Sequence, residues 1–315
     1  MAHDELLASW TAEQLRQASL AVFNDDRLSF AVHAAPAATL PSAHPDAPVV
    51  YREDLSALRF EGLHTVGGLD ISFPDASGDE GIAVLAVLSF PNLQLLHTLT
   101  RRISLSSTPY VHSYLSFREA DHYIALVEEL RAQDGARVPQ VLFVDGNGRW
   151  HPRQAGSAVA VGVKTGIPTV GIGKEYHPLH SPSSASPATL SSTTRPPFPP
   201  DFRSTQKGMR KACQALLKAR GDWLGLVPPA ADEGGGEKPE SGKGEYWGAA
   251  VLTSPSRTAS NPIFVSPGTL LSLSTCIGLA LACCTESKVL EPVRRADAIG
   301  REEVRKTWGT NGTTG

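Results

Sequence analysis

At 315 residues, with 41% hydrophobic content and a formal net charge of −3, the chain can bury one large core or two modest ones. These values exclude fibrous and wholly disordered classes, and they exclude a protein that coats nucleic acid by bulk attraction; any polyanion must be met by a local basic patch. Cys213, Cys276, Cys283 and Cys284 lack Cys-x-x-Cys spacing, so neither a disulfide framework nor a zinc site is indicated, and a reducing intracellular setting, nucleus or cytoplasm, is expected.

The opening MAHDELLASW carries acids where a secretory signal needs a basic region, and residues 1–10 are expected to be a flexible tail. Leu15, Leu20 and Val22 recur against polar Glu13, Gln14 and Gln17, which predicts a helix over Thr11 to Phe23, with Thr11 and Gln14 resembling a capping box. Ala31 to Pro48 has no periodicity and reads as a loop. Val66 to Phe73, Ile82 to Phe90 and Leu93 to Arg101 read as strands with short joins, hence an antiparallel meander. A helix from Tyr114 to Arg131, a strand from Val141 to Asp145, a helix from Gln154 to Thr165 and a strand from Thr169 to Ile172 follow. A meander followed by alternating units predicts a mixed α/β sheet flanked by helices.

Tyr176 to Asp201 is rich in Ser, Thr and Pro, and Pro228 to Gly244 in Gly, Glu and Lys; both read as disordered insertions. Between them, Gln206 to Arg220 sets Met209, Cys213, Leu216 and Leu217 on one stripe and Lys207, Arg210, Lys211 and Lys218 largely off it, an amphipathic basic helix. Leu270 to Cys284 is apolar but interrupted by Ser and Thr, and it falls short of the roughly 20 residues of a membrane span. It reads as a buried helix, and no membrane partner is expected.

Three acids stand out. Asp70 interrupts an apolar strand on the side opposite Leu69, Ile71 and Phe73, so it is either paired, hydrogen-bonded or metal-bound in the interior, or an acid at a solvent-facing edge. Glu119 shares a helical face with Leu115, Tyr123, Leu126, Val127 and Leu130; the alternative is an acid at the rim of that stripe, favoured by the helix dipole. Asp145 ends a probable strand, where open α/β sheets gather catalytic groups. Carboxylates of this kind suit hard divalent ions, and two such ions about 3.5–4 Å apart can promote phosphodiester hydrolysis. The glycines after Asp145 lack the third glycine of a dinucleotide loop, and VGIGKE at 170–175 lacks the ends of a phosphate-binding P-loop. His151 is open to readings as general acid, phosphate donor or loop residue, and Lys174 to a phosphate contact or an exposed pair with Glu175.

Together VGGLDISF (66–73), PYVHSYLSFRE (109–119), VDGNGRWHPRQAG (144–156), IPTVGIGK (167–174), NPIFVSPG (261–268) and LEPVRRAD (290–297) resemble, in content and order, the endonuclease V family of inosine-directed nucleases. The resemblance implies a ribonuclease H-like fold in a single catalytic domain over 11–308, with 309–315 a second tail. It implies that Asp70, Glu119, Asp145 and Asp297 bind Mg²⁺, with Mn²⁺ as a substitute, and that Lys174 and His151 lie beside the scissile region. It also implies that Pro109, Tyr110 and Val111 form a wedge next to an extruded base, with Leu115, Gly146, Gly148 and Lys174 as further nucleic-acid-binding residues. The implied activity is hydrolysis of the second phosphodiester 3′ to inosine, leaving 3′-hydroxyl and 5′-phosphate ends, in single-stranded RNA or DNA, by a monomer. Arg101, Arg102, Lys207, Arg210, Lys211, Arg294 and Arg295 are candidate phosphate contacts. The chain departs from the family at Ser113, where Gly is usual, at Ala160, where His is usual, and at Gly268-Thr269-Leu270 in place of Gly-His-Arg. The competing readings are a catalytically weak inosine-binding protein and, more remotely, a nucleotide-cofactor enzyme.

Overall fold

The structure, a computed structural model, describes residues 2–33, 55–75, 77–179, 205–226, 246–254, 261–285, 287 and 289–309. In chain order it contains helix α1 (Ala2–Leu20), strands β1 (Ala31–His33), β2 (Arg59–Glu61), β3 (Thr65–Ser72), β4 (Glu80–Ser89) and β5 (Leu95–Ser104), and helix α2 (Ser116–Gln133). There follow β6 (Val141–Asp145), α3 (Ser157–Thr165), β7 (Thr169–Gly173), α4 (Gln206–Leu216), β8 (Trp223–Leu226), β9 (Gly248–Val251), β10 (Ile263–Thr269), α5 (Leu273–Ala282) and α6 (Glu291–Trp308). Most of the two expected insertions falls outside the described residues.

One eight-stranded sheet has the order β5-β4-β3-β6-β7-β10-β9-β8. The expected meander is β3 to β5, and β3, β6 and β7 run parallel, the combination of antiparallel and parallel strands expected of a ribonuclease H-like mixed sheet. The parallel strands VLFVD and TVGIG are apolar almost throughout because both sheet faces are covered. On one face Val66, Val84, Phe143 and Ile172 pack with Ile277 of α5 and Val293 and Ala296 of α6. On the other, Leu69, Leu85, Leu142 and Val144 pack with Tyr123, Leu126 and Leu130 of α2 and Val161 of α3. A smaller cluster joins Met209 and Cys213 of α4 to Leu224, Ala250 and Trp150. The four cysteines are buried, and none is in a disulfide. No described helix is long and apolar enough to cross a membrane.

Several boundaries differ from expectation for identifiable reasons. Helix α1 begins at Ala2 rather than Thr11, so residues 2–10 are helical instead of a tail. Trp10 stacks on Phe117 with centroids 4.9 Å apart, a tertiary contact that leaves no periodic trace in sequence. Thr11 is therefore mid-helix and caps nothing; its hydroxyl lies 2.7 Å from the Tyr114 hydroxyl. Ala31–His33, expected in a loop, pairs antiparallel with β2. The helix expected from Gln154 starts at Ser157, because Gln154 has a positive φ of 55° and Gly156 is extended. The helix expected through Arg220 stops at Leu216, where Asp222 Oδ2 instead accepts the amides of Lys218 and Ala219. The long apolar segment contributes α5, whose start is capped by Ser272 accepting the Thr275 amide.

Candidate active site

The β3–β6 ladder ends at the Leu69–Val144 pair, one residue short of both Asp70 and Asp145. Alternation along each strand turns both acids to the face covered by α6, since Val66, Val141 and Phe143 line that core while Leu69, Leu142 and Val144 line the other. Asp70 is 2% exposed, whereas Asp145 is half-buried. Glu119 enters from the first turn of α2 and is itself buried. Asp297 comes from α6, whose backbone approaches β3 closely: the Asp297 carbonyl accepts Ser72 Oγ at 3.5 Å, and Ser72 Oγ also lies 3.4 Å from Asp70 Oδ2. Four elements thus bring four acids toward one end of the sheet.

Their charges act on one another. Burial raises the Asp70 carboxyl well above the usual carboxylate range, with the neighbouring Asp145 adding to the rise and Asp297 contributing. Burial, then the charge of Asp145, pushes Glu119 up to about 8. Tyr123, wholly buried beneath, is raised by burial and then by Glu119, Asp70 and Asp145. Lys174 Nζ donates to Asp145 Oδ2 at 2.7 Å and lies 3.8 Å from Asp70 Oδ1. Burial opposes its charge, but Asp145 and the other acids outweigh that and hold it protonated. The alternative pair with Glu175 does not form; Glu175 accepts Gln206 Nε2 at 3.1 Å.

Among the described residues no three His, Cys, Asp or Glu side chains are gathered tightly enough to enclose an ion. The donor set is nevertheless carboxylate oxygen throughout, the ligand type of hard divalent cations. Asp70 and Glu119 are raised first by burial and then by the charge of Asp145, and a bound cation would favour the ionised form of both against these two effects. The residues therefore fit a divalent ion.

The segment leading into Glu119 presents Pro109 and Tyr110 outward, Tyr110 at 66% exposure, with Val111 half-buried and Leu115 exposed. The Arg118 guanidinium lies 6.0 Å from the Tyr110 ring centre and donates to the Gly78 carbonyl at 2.7 Å, tying this segment to the β3–β4 loop. Behind Asp145, Gly146 has φ +147°, and its amide donates to Ile172 O at 3.0 Å. Gly148 is buried against β10; a Cβ there would meet the Pro267 carbonyl oxygen at 2.3 Å, so the backbone approaching it is the protein's own. His151 is buried, with Nε2 2.9 Å from the Ser113 carbonyl and Nδ1 accepting the Arg153 amide at 3.2 Å. Burial, then the Arg153 charge, lowers it to about 4.

The three departures also have places. Ser113 has φ +66°, a left-handed conformation that explains why glycine suits the position. Ala160 is buried in the core beneath α2. Thr269 Oγ1 accepts the Val22 amide at 3.0 Å and so ties the end of β10 to the chain leaving α1. Of the basic candidates, Arg101 pairs with Glu129, Arg102 with Glu80, and Arg294 and Arg295 with Glu291. Lys207, Arg210 and Lys211 are exposed on α4. The sequence carries no sign of a site role for Gln14, read there only as a capping residue, nor for Arg118 and Arg153. All three carry long polar side chains, and only tertiary structure shows that Gln14 and Arg118 are buried.

A family model for endonuclease V matches residues 49–298. The chain belongs to the endonuclease V family. It is 32% identical over 253 residues to endonuclease V of Homo sapiens, covering 80% of this chain and 76% of that protein. The catalytic domain of human endonuclease V superposes with a TM-score of 0.69 at 29% identity, covering 97% of this chain and 98% of that one. Endonuclease V of Ciona intestinalis, solved with a 24mer DNA containing an inosine followed by a ribo-adenosine, superposes with a TM-score of 0.68 at 25% identity, over 96% of this chain and 99% of that one. The protein is thus an endonuclease.

Proposed function

We propose that this endonuclease V hydrolyses the second phosphodiester 3′ to inosine, leaving 3′-hydroxyl and 5′-phosphate ends. The observation that carries the reading is the placement of Asp70, Glu119, Asp145 and Asp297 by four separate elements at one end of the sheet, where Asp145 acts on both Asp70 and Glu119 and Asp297 acts on Asp70. The inosine-bearing DNA held by the Ciona relative supports the substrate class. Asp70, Glu119, Asp145 and Asp297 would hold divalent cations, Mg²⁺ or Mn²⁺ in its stead, which supply charge neutralisation and Lewis acidity toward the phosphodiester.

The protein's own groups have distinct tasks. Lys174, exposed on one side and anchored by Asp145, is available to a phosphate oxygen near the scissile bond. Tyr110, outward-facing beside Pro109 and Val111, offers a stacking surface to the gap left by an extruded base, and stacking accepts any base face. Extrusion costs a few kcal/mol in a duplex and little in a single strand, so single-stranded substrates come first. Leu115 and Gly146 complete the proposed surface around the base, Gly148 packs behind it against the protein's own β10 backbone, and exposed Lys207, Arg210 and Lys211 supply phosphate contacts that weaken with salt. RNA is ranked slightly ahead of DNA, a discrimination that requires contacts to 2′-hydroxyl groups.

In the deciding experiment, purified protein with Mg²⁺ nicks a single-stranded inosine oligonucleotide one nucleotide beyond the inosine and leaves the adenosine counterpart intact. Asp145→Ala removes nicking while binding persists, and chelation has the same effect on the wild type. Cleavage retained by Asp145→Ala would overturn the assignment of the acids. Binding without cleavage by the wild type would favour an inosine-binding protein. Matched RNA and DNA oligonucleotides in the same assay order the two polymers.

A further inference from the structure

We infer that helix α1 positions the 109–115 segment, and that Gln14 is the residue through which it does so. The inference rests on the proposed role of that segment beside the inosine. A surface helix ordinarily docks through an apolar stripe, yet the two buried side chains described in α1 are amides, Gln14 and Gln17, while Leu15 and Leu20 are more than half exposed. A buried amide is costly unless its hydrogen bonds are met, so this docking specifies a geometry rather than merely covering surface.

Gln14 meets them across two other segments. Its Nε2 donates to the Ser113 carbonyl at 3.2 Å and the Ala155 carbonyl at 3.2 Å, with Ser116 Oγ at 3.4 Å, and its Oε1 accepts Arg153 Nε at 2.5 Å. Arg153 Nη2 also donates to the Ser113 carbonyl, at 2.8 Å, and His151 Nε2 lies 2.9 Å from the same oxygen. That oxygen can only accept, so His151 carries its hydrogen on Nε2, and its Nδ1 is occupied by the Arg153 amide. Both ring nitrogens are engaged in holding the loop, which makes His151 a positioning residue and not a proton donor.

Three donors therefore converge on one carbonyl, and its residue is in the left-handed conformation that a residue with a side chain keeps only when its surroundings hold it. Ser113 lies three residues after Tyr110 and six before Glu119. The same helix stacks Trp10 on Phe117 and bonds Thr11 to Tyr114, and the chain leaving it is tied through Val22 to Thr269 of β10. Helix α1 lies outside the 49–298 family match, yet it braces both the base-facing segment and the loop that follows Asp145.

The test compares the full-length wild type, Gln14→Leu, Tyr110→Ala and the double variant in single-turnover cleavage of a single-stranded inosine oligonucleotide with Mg²⁺. Gln14→Leu is expected to lower the rate by about a hundredfold, the scale of a small misplacement at a reacting centre. In the Tyr110→Ala background the same substitution is expected to cost little more, because its effect passes through the Tyr110 segment. Additive losses would overturn the inference. Amide hydrogen exchange gives a readout independent of activity: Gln14→Leu is expected to speed exchange over 109–115 and 149–156 while β3 and β6 keep their protection. A uniform rise would assign Gln14 to general stability and overturn the positioning role. Should the wild type not cleave inosine substrates, the functional reading falls and the exchange pattern alone decides whether α1 braces the segment.

Discussion

At pH 8, Glu119→Gln and Asp70→Asn are each expected to melt several degrees above the wild type in a chelator, and to lose cleavage altogether when Mg²⁺ is supplied. Both carboxyls are buried, and burial is the leading cause of the upward displacement of each. For Glu119 the carboxyl moves from 4.5 to about 8. The folded protein then holds a proton that the unfolded chain releases, so the contribution of this group is fully present below about pH 4.5 and lost as pH rises through about 8. The loss is on the order of 4 kcal/mol at pH 8. The amide variants cannot ionise and therefore escape it. In a protein of 315 residues each kcal/mol is worth about 1.5–2 °C in melting temperature, which still makes the difference measurable. Added Mg²⁺ is expected to stabilise the wild type more than either variant, because a ligand that binds only the native state adds its binding free energy to stability. Thermal scans from pH 5 to 8, with and without Mg²⁺, check all three statements. A wild type with no pH slope in the chelator, or amide variants that melt lower at pH 8, would contradict the charge balance described for the site.

The parts of this arrangement legible in the sequence are those with a local signature. β6 runs from Val141 to Asp145 as expected, because a short apolar run ending in an acid and two glycines has few alternatives. β3 and β4 shift only at their ends, and Glu119 was visible as an acid on an apolar helical stripe. Asp297 was reached only through family resemblance, since α6 reads as a charged segment whose buried side is the small-residue set Val293, Ala296 and Gly300. β8 and β9 are four residues each and flank the 228–244 low-complexity stretch, too short to show a period. Gln14, Arg118 and Arg153 act through partners distant in sequence, from about 40 residues for Arg118 and Gly78 to about 140 for Gln14 and Arg153. No pattern within one segment can display such bonds; the fold alone brings them together.

Gly68→Ala is expected to cost about 3 kcal/mol or more and to lower cleavage beyond what the folded fraction explains. Gly68 lies two residues before Asp70 on the same face of β3, under the first turn of α6. A methyl group there would stand 2.0 Å from the Pro292 carbonyl oxygen, 2.2 Å from its carbon and 2.8 Å from the Val293 nitrogen. These are backbone atoms of a helix that cannot rotate aside, and the turn is held from behind by the Glu291 amide donating to the Cys283 carbonyl at 2.8 Å. Relief requires α6 to retreat by more than about 1 Å, which opens the core formed by Val293 and Ala296 and loosens the bond from Ser72 to the Asp297 carbonyl. The acid on α6 then moves away from the acid on β3. Gly135→Ala is the control: nothing lies within 4 Å of that position, and its backbone does not require glycine, so a change within about 0.5 kcal/mol is expected. Denaturant unfolding and single-turnover cleavage of both variants separate the two effects. A Gly68→Ala protein as stable as the wild type would show that α6 is not pressed against β3, and with it would go the reason for counting Asp297 among the acids of the site.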